Sequence, residues 1–393
     1  MNDDFQSNES TYDALKEFSS FLYENLEKGK SVLALFLDYR KAFDLVPHDV
    51  LLRKLEFYGI RGNILQWFRS YLTGRSQRTK YDSKMSDSLP IEIGLAQGSV
   101  LGPILFNLHI NDLVNVSEIF RTCLFCDDST LYTSGYNLAE MTNNANLDLL
   151  RIYEWCTANK MSLNTDKTVA MIFSNRRIRN CPPILLKQGM SYEVIKRVDT
   201  VKFLGIYYDE NMKFKHHIQH LTSKISRIAG MIYRLSQILP TKILKKLYDA
   251  HVNSVLSYNT PIWCCNFPEN IKPVITLQKK IIRSVTKSEF YAHSKPLFKK
   301  TNTLNVFDIN KLFLGSLYFK NPTKYVAPFR RDHPHNTRNA NDLRPKRYTK
   351  TLVRNSFLVK GPTNYNSIPE NIKSCPSIIS FKKNYKKFLL TAY

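Results

Sequence analysis

A mixed α/β or α+β domain over the first 210 or so residues, followed by an all-α unit, is the fold class that the sequence predicts. Three observations lead there. Short apolar runs such as VLALFLD (32–38) are too short for helices and bounded as buried strands are. They alternate with segments of helical period. From Phe214 the pattern changes: apolar residues at 214, 218, 221, 225, 228, 232 and 235 are spaced 4, 3, 4, 3, 4, 3, as on one long amphipathic helix.

Residues 10–28 read as a helix with Ser10 or Thr11 as N-cap, Leu15, Phe18, Leu22 and Leu26 on one face, and Gly29 as its stop. The strand 32–38 follows and ends on Asp38. Helices are expected at 49–58, closed by Gly59, and at 64–72, closed by Gly74. GLAQGS (94–99) reads as a glycine-punctuated loop, and Leu101, Ile104, Leu105 and Leu108 then mark a helix with Pro103 in its tolerant first turn. Two apolar segments around Asp127 and Asp128 (122–133) fit a tight hairpin with both carboxylates at its tip. A helix at 138–158 and strands at 168–173 and 201–208 complete the domain. Beyond the long helix, two more are expected at 241–257 and 270–287; from 300 onward the chain is Pro-, Asn- and Lys/Arg-rich, and no fold is read from it.

With 393 residues, 43% of them hydrophobic and 23% charged, the chain is of ordinary globular composition, which sets disordered, collagenous and membrane classes aside. Its 57 Lys and Arg against 33 Asp and Glu give a net charge of +24, and a polyanion, first a nucleic acid, is the expected partner. The charge is uneven: residues 1–175 hold 17 basic and 22 acidic side chains, residues 176–393 hold 40 and 11. Polyanion affinity is therefore expected in the second half. The seven cysteines are expected as reduced thiols of an intracellular protein, and Cys123 and Cys126, three apart, lie in a strand-like run. The acidic N-terminus is no signal peptide, and no apolar stretch reaches the ~18 residues of a membrane span, so a soluble, unexported protein is expected, with the compartment open. His216, His217 and His220, and His333 with His335, lack partners at ligand spacing and read as surface and loop residues.

Asp38 at a strand end and Asp127 with Asp128 at a hairpin tip would make a divalent-metal site if their strands are neighbours, because hard cations prefer carboxylate oxygens. Taken alone, a solvated turn would explain the same residues.

The order of the motifs favours the site. FLDYRKAFDLVPHDVLLRKL (36–55), GLAQGSVLGPILFNLHINDL (94–113), FCDD (125–128), LNTDKT (163–168) and KFLGI (202–206) together resemble the reverse transcriptase of non-LTR retrotransposons of the LINE or jockey kind. HPHNTRNA (333–340) and YNSIPENIKS (365–374) are similar to the tail that follows the thumb in such elements. The resemblance implies a right-hand polymerase palm, a ferredoxin-like sheet with helices behind, followed by an all-α thumb. It divides the chain into a remnant of fingers and connecting helix (1–30), palm with partial fingers (31–212), helical thumb (213–299) and a basic C-terminal segment (300–393).

It implies RNA-directed DNA polymerisation: Mg²⁺, or Mn²⁺ in its place, held by Asp38, Asp127 and Asp128, with an RNA template, a DNA primer and dNTP as partners, no membrane, and no protein partner that can be inferred. Phe43 falls on the aromatic gate against a ribose 2′-OH, its other reading being a core ring. Gln97 and Gly98 fall on the loop at the templating base pair and incoming nucleotide, where close backbone approach would explain the glycine. Lys167 falls on a lysine near the triphosphate, a general acid to pyrophosphate or else a solvated surface lysine. Phe203, Leu204 and Gly205 fall on the primer-grip hairpin, or are structural core. Asp44 matches no metal ligand. Cys126 stands where the family has Ala. The chain starts at the family's QFGF-like segment (here DDFQSNEST), and the basic fingers strands and endonuclease of such elements have no counterpart, as in a truncated copy. The alternatives are a catalytically inactive relic that binds RNA or RNA–DNA hybrid, and an RNA-directed RNA polymerase, against which Phe43 argues.

Overall fold

SVLALFL carries no charge and no breaker, so it can be buried on both faces of a sheet, and it becomes the strand on which the first half of the chain is built. The computed structural model describes residues 10–176, 178, 181–265, 267–321, 343 and 345–393. Contacts divide the chain into two units: Lys28–Leu204, and Met1–Glu27 with Gly205–Tyr393, the latter opening with helix α1 (Thr11–Glu27).

In the first unit β1 (Ser31–Leu37) lies inside a five-stranded sheet. Helices α2 (His48–Phe57) and α3 (Gly62–Leu72) follow, then two small antiparallel ribbons, β2 (Arg75–Gln77) with β5 (Leu89–Ile91) and β3 (Lys80–Tyr81) with β4 (Lys84–Met85). Next come α4 (Leu101–Ile110), the hairpin β6 (Arg121–Phe125) and β7 (Asp128–Gly135), α5 (Leu138–Ala158) and β8 (Val169–Phe173). The ribbon β9 (Leu185–Gln188) and β10 (Ser191–Val194) precedes β11 (Lys196–Arg197) and β12 (Thr200–Phe203). The sheet order is β11-β8-β1-β7-β6, with β1 antiparallel to both neighbours and β11 parallel to β8. Leu35 stands opposite Leu131 on one side and Ala170 on the other, so one sheet face is mainly apolar at its centre. That face shares a core with Leu51 and Leu55 of α2, Leu105 and Phe106 of α4, and Leu149 and Ile152 of α5. Each such side chain, fully removed from water, contributes about 1.5–3 kcal/mol.

Among the described residues, the second unit is helical apart from β13 (Ile206–Asp209). Its helices are α6 (Lys215–Ser236), α7 (Thr241–Tyr248), α8 (Ser254–Ser257), α9 (Thr260–Cys264), α10 (Pro268–Thr286), α11 (Ser294–Lys300), α12 (Val306–Lys320), α13 (Thr351–Arg354), α14 (Phe357–Asn366), α15 (Glu370–Lys373) and α16 (Ile378–Thr391). The Asp209 carboxylate accepts hydrogen bonds from the Lys213 and Lys215 amides at 2.8 and 3.1 Å, and the second of these answers an orphan donor at the start of α6. α6 packs along α10, and α12 packs on α9, α14 and α16. The buried Gln278 amide of α10 donates to the Tyr248 hydroxyl (2.7 Å) and the Leu304 carbonyl (3.0 Å) and accepts from the Val306 amide (3.1 Å), so it is satisfied at both ends.

Three expectations are corrected. The stretch 201–208 is two strands, because the chain turns at Leu204 and Gly205, whose φ angles are +43° and +81°. The stretch 241–257 opens into a π turn at Asp249–Asn253, which leaves Tyr248, Val252 and Leu256 all fully buried. Beyond 300, where the sequence shows no fold, the described residues form helices. His217 is buried, not a surface residue; His216 and His220 are exposed, and His333 and His335 lie outside the described residues. Among the described residues, no helix is long and apolar enough to cross a membrane.

Two imidazoles are held uncharged. Burial pushes the His109 pKa down to about 4, helped by the nearby Lys54 ammonium, and burial with His220 beside it pushes His217 down to about 3. A histidine whose folded pKa is depressed favours the unfolded chain once pH falls below the unfolded value. Each should therefore lower stability by about 2 kcal/mol on going from pH 7.5 to pH 5. Urea unfolding at the two pH values checks this; midpoints that coincide would contradict it.

Candidate active site

The residue after β1 is Asp38, and its main chain is fixed on both sides. Its amide donates to the Thr168 hydroxyl at 3.2 Å, and its carbonyl accepts from the Asn164 amide at 2.7 Å. The Arg40 amide bonds the Ser162 carbonyl at 2.9 Å, and Tyr39 bridges Leu163. The segment LNTDKT is thus a clamp that lays the end of β1 along the start of β8, and Thr168 within it is fully buried.

Register decides what Asp38 faces. β1 pairs with β7 so that Phe36 is opposite Thr130 and Leu37 opposite Ser129. Continued by one residue, the antiparallel pattern puts Asp38 across from Asp128, on the face of Phe36 and Thr130. The β6–β7 loop has two residues, Cys126 and Asp127, closed by the pair Phe125 and Asp128. Asp127 is therefore at the tip, while Asp128 begins the strand, one place further in than expected. Cys126 has φ +54°, the left-handed conformation that a two-residue hairpin loop needs at its first position.

The fields of these carboxylates overlap. Asp128 is exposed, yet lost hydration, then Asp127, then Asp38 raise its pKa above the usual carboxylate range, and Lys202 opposes them. The Cys126 thiol is raised by the same desolvation and by Asp127 and Asp128. Lys202 is exposed on β12 between buried Val201 and Phe203, and the Phe203 ring lies 5.6 Å from that of Phe36. Among the described residues, no three His, Cys, Asp or Glu side chains already form a group drawn in to hold a metal ion. The three aspartates are neighbours by register and by charge, and their mutual repulsion works against closer approach.

A second set of contacts holds the loop 94–98 on the segment 43–48. The Leu95 amide bonds the Phe43 carbonyl and the Gly94 amide the Val46 carbonyl, both at 2.8 Å. His48 Nε2 lies 2.8 Å from the Gly94 carbonyl, and Gln97 Nε2 donates to Asp44 Oδ1 at 2.8 Å. The half-buried Phe43 ring stacks on buried Phe106 at 4.7 Å and 27°. At Gly94 a β-carbon would stand 2.6 Å from the Asp44 carbonyl oxygen, whereas at Gly98 it would meet nothing within 4 Å. Within the protein, close approach thus demands glycine at 94, and Gly98 is a glycine for its φ of +79°. Lys167 is exposed inside the clamp, its amide 3.3 Å from the Asn164 carbonyl. Leu204 and Gly205 form the turn after β12; a β-carbon at Gly205 would press on the Tyr258 ring at 3.0 Å.

Sequence reading missed Lys202, Thr168 and Asn164, and it set Asp44 aside. Lys202 carried a signal, a charge between two apolar residues of a strand. The other three act through hydrogen bonds over long sequence separations, which no local pattern displays.

Residues 3–208, just over half of the chain, match the family model for reverse transcriptase (RNA-dependent DNA polymerase). The chain is 26% identical over 305 residues to the RNA-directed DNA polymerase from mobile element jockey of Drosophila funebris, an alignment that covers 75% of this chain and 32% of that protein. It is 26% identical over 292 residues to the probable RNA-directed DNA polymerase from transposon X-element of Drosophila melanogaster, covering 71% and 31%. The chain spans about a third of the length of these curated relatives. Among solved structures, telomerase from Candida albicans with a fragment of telomeric RNA aligns at 14% identity over 75% of this chain and 55% of that one, with a TM-score of 0.40.

The two glycines should respond differently to alanine. Gly98→Ala should lose about 1–2 kcal/mol, the cost of a β-carbon at positive φ, and Gly94→Ala about another 1–3 kcal/mol for pressing on the Asp44 backbone. Equal losses in chemical denaturation would contradict this packing.

Proposed function

The chain belongs to the reverse transcriptase family, and from that premise we propose that it is an RNA-directed DNA polymerase of a non-LTR retrotransposon, adding dNTPs to a DNA primer on an RNA template. The single observation that carries the reading is the β1–β7 register, which lines up Asp38 with Asp128 beside Asp127. We assign residues 31–212 as palm with partial fingers, 213–299 as thumb and 300–393 as a basic C-terminal segment.

The donor chemistry suits a divalent metal. Three carboxylates with overlapping fields and a raised Asp128 make a site whose negative charge Lys202 offsets only in part. Asp38, Asp127 and Asp128 would hold it, and Mg²⁺, or Mn²⁺ in its place, would neutralise triphosphate charge and make the primer 3′-hydroxyl easier to deprotonate. The protein's own task is placement. The clamp of Asn164 and Thr168 keeps the Asp38 backbone from shifting, and the two-residue loop keeps Asp127 beside Asp128. Lys202 supplies the nearby positive charge. Phe43, held by its stack on Phe106, is a ring that cannot yield, as a gate against a ribose 2′-OH must be. Gln97 and Gly98 would meet the templating pair and incoming nucleotide, and the Gln97–Asp44 bond keeps that loop from swinging away. Lys167 would serve the triphosphate and Phe203, Leu204 and Gly205 the primer end.

Primer extension on an RNA template in Mg²⁺, with nucleic-acid binding measured separately, tests the reading. Asp38→Asn, Asp127→Asn and Asp128→Asn should each cut dNTP incorporation at least about a hundredfold and leave binding intact. Phe43→Val should raise the ratio of ribonucleotide to deoxyribonucleotide incorporation about tenfold. Incorporation that survives all three aspartate substitutions would sink the assignment.

A further inference from the structure

α6 and α10 are both amphipathic, and packing their apolar faces together leaves a groove on the outside of the pair with a volume of about 840 Å³. That volume falls within the ~300–1,000 Å³ of sites that engulf a small molecule or part of a larger one. Two large rings on its lining are left in water: Tyr233 is 62% exposed and Phe290 67% exposed. The charged side chains on the lining are Lys280, Arg283 and Lys287, and no acid accompanies them there. Arg283 is fixed, because its Nε donates to the Ala292 carbonyl at 2.8 Å. Gly230 lies in the groove wall within α6. Glycine disfavours a helix interior, and here a β-carbon would meet nothing within 4 Å, so neither a turn nor close packing requires it. What its missing side chain provides is space.

We propose that this groove binds an unpaired strand of nucleic acid, one base lying on Tyr233 and Phe290 and the flanking phosphates on Lys280 and Lys287. Cations answer the phosphates, and exposed rings answer a base face, which every base offers only when it is not stacked inside a duplex. A duplex could touch the lysines but has no free base face for the rings. The site therefore prefers single strands, RNA or DNA. It does not rest on the polymerase reading, and its test involves no primer extension.

The test uses the full chain with single-stranded RNA and single-stranded DNA of one sequence carrying 2-aminopurine, and the matching duplex, read by fluorescence quenching and by anisotropy. Quenching is expected with the single strands and not with the duplex. Tyr233→Ala and Phe290→Ala should each weaken single-strand binding about fivefold or more and leave duplex affinity unchanged, while Tyr233→Phe should bind as the parent does. Gly230→Leu, which suits a helix and fills the groove, should abolish the quenching in a protein of undiminished thermal stability. Lys280→Gln and Lys287→Gln should each lower the slope of log affinity against log salt by about 0.7. Single-strand binding unchanged in the Tyr233, Phe290 and Gly230 variants, or lost in parallel with duplex binding, would overturn the proposal.

Discussion

The pairing of β1 with β7 is the constraint on which the rest of the site depends. In a strand pair, a slip of one residue sends every side chain to the opposite face. Here the register sets Leu35 against Leu131 and Ala170 on the core face. The alternation that buries Leu33, Leu35 and Leu37 therefore sends Phe36 and Asp38 to the other face, where Asp128 stands. The same register thus sets both the core contacts of β1 and the placing of Asp38 across from Asp128. Three like charges near one another oppose folding, and the hydrophobic burial of β1 offsets that cost.

Part of the backbone strain in this unit lies close to the site. Lys41, three residues after Asp38, has φ +48°, and Cys126, just before Asp127, has φ +54°. A non-glycine residue in that region costs about 1–2 kcal/mol, and it persists only where its surroundings hold it. Around Cys126 the two-residue loop does so, because the strands on either side are already paired. Asn164 and Thr168 grip Asp38, and Gly94, His48 and Gln97 hold the loop that follows Lys41. The acidic centre is thus supported mainly by main-chain hydrogen bonds from segments distant in sequence, and its position does not depend on the side chains of the carboxylates themselves.

Much of this was legible in the sequence. The helix at 138–158, the strand ending at Asp38 and the hairpin carrying the aspartate pair follow from local pattern, since their apolar period and turn residues agree. The order of five motifs carried the family, which composition alone did not. What stayed hidden was non-local. Asp44 reads as a spare acid until Gln97 is seen beside it, and Thr168 as an ordinary threonine until the Asp38 amide is found on it. The helices beyond 300 were missed for a different reason. A Pro-, Asn- and Lys/Arg-rich composition hides helices that tertiary packing makes: a β-carbon at Gly315 would stand 2.7 Å from Tyr385 and one at Gly361 2.7 Å from Tyr318. These glycines let rings approach a helix backbone; Pro362 lies inside α14. His217 likewise looked like one of a surface trio, and only tertiary packing buries it.

Direct titration of the protein with Mn²⁺, followed by electron paramagnetic resonance, tests most simply whether residues on two different strands form one centre. If the register brings Asp38 and Asp128 to a common ion, Asp38→Asn and Asp128→Asn should each weaken Mn²⁺ binding by about tenfold or more, with no loss of fold. Mn²⁺ affinity that falls with Asp128→Asn but is unchanged by Asp38→Asn would show that the hairpin binds metal alone and that the convergence of the two strands has no chemical consequence.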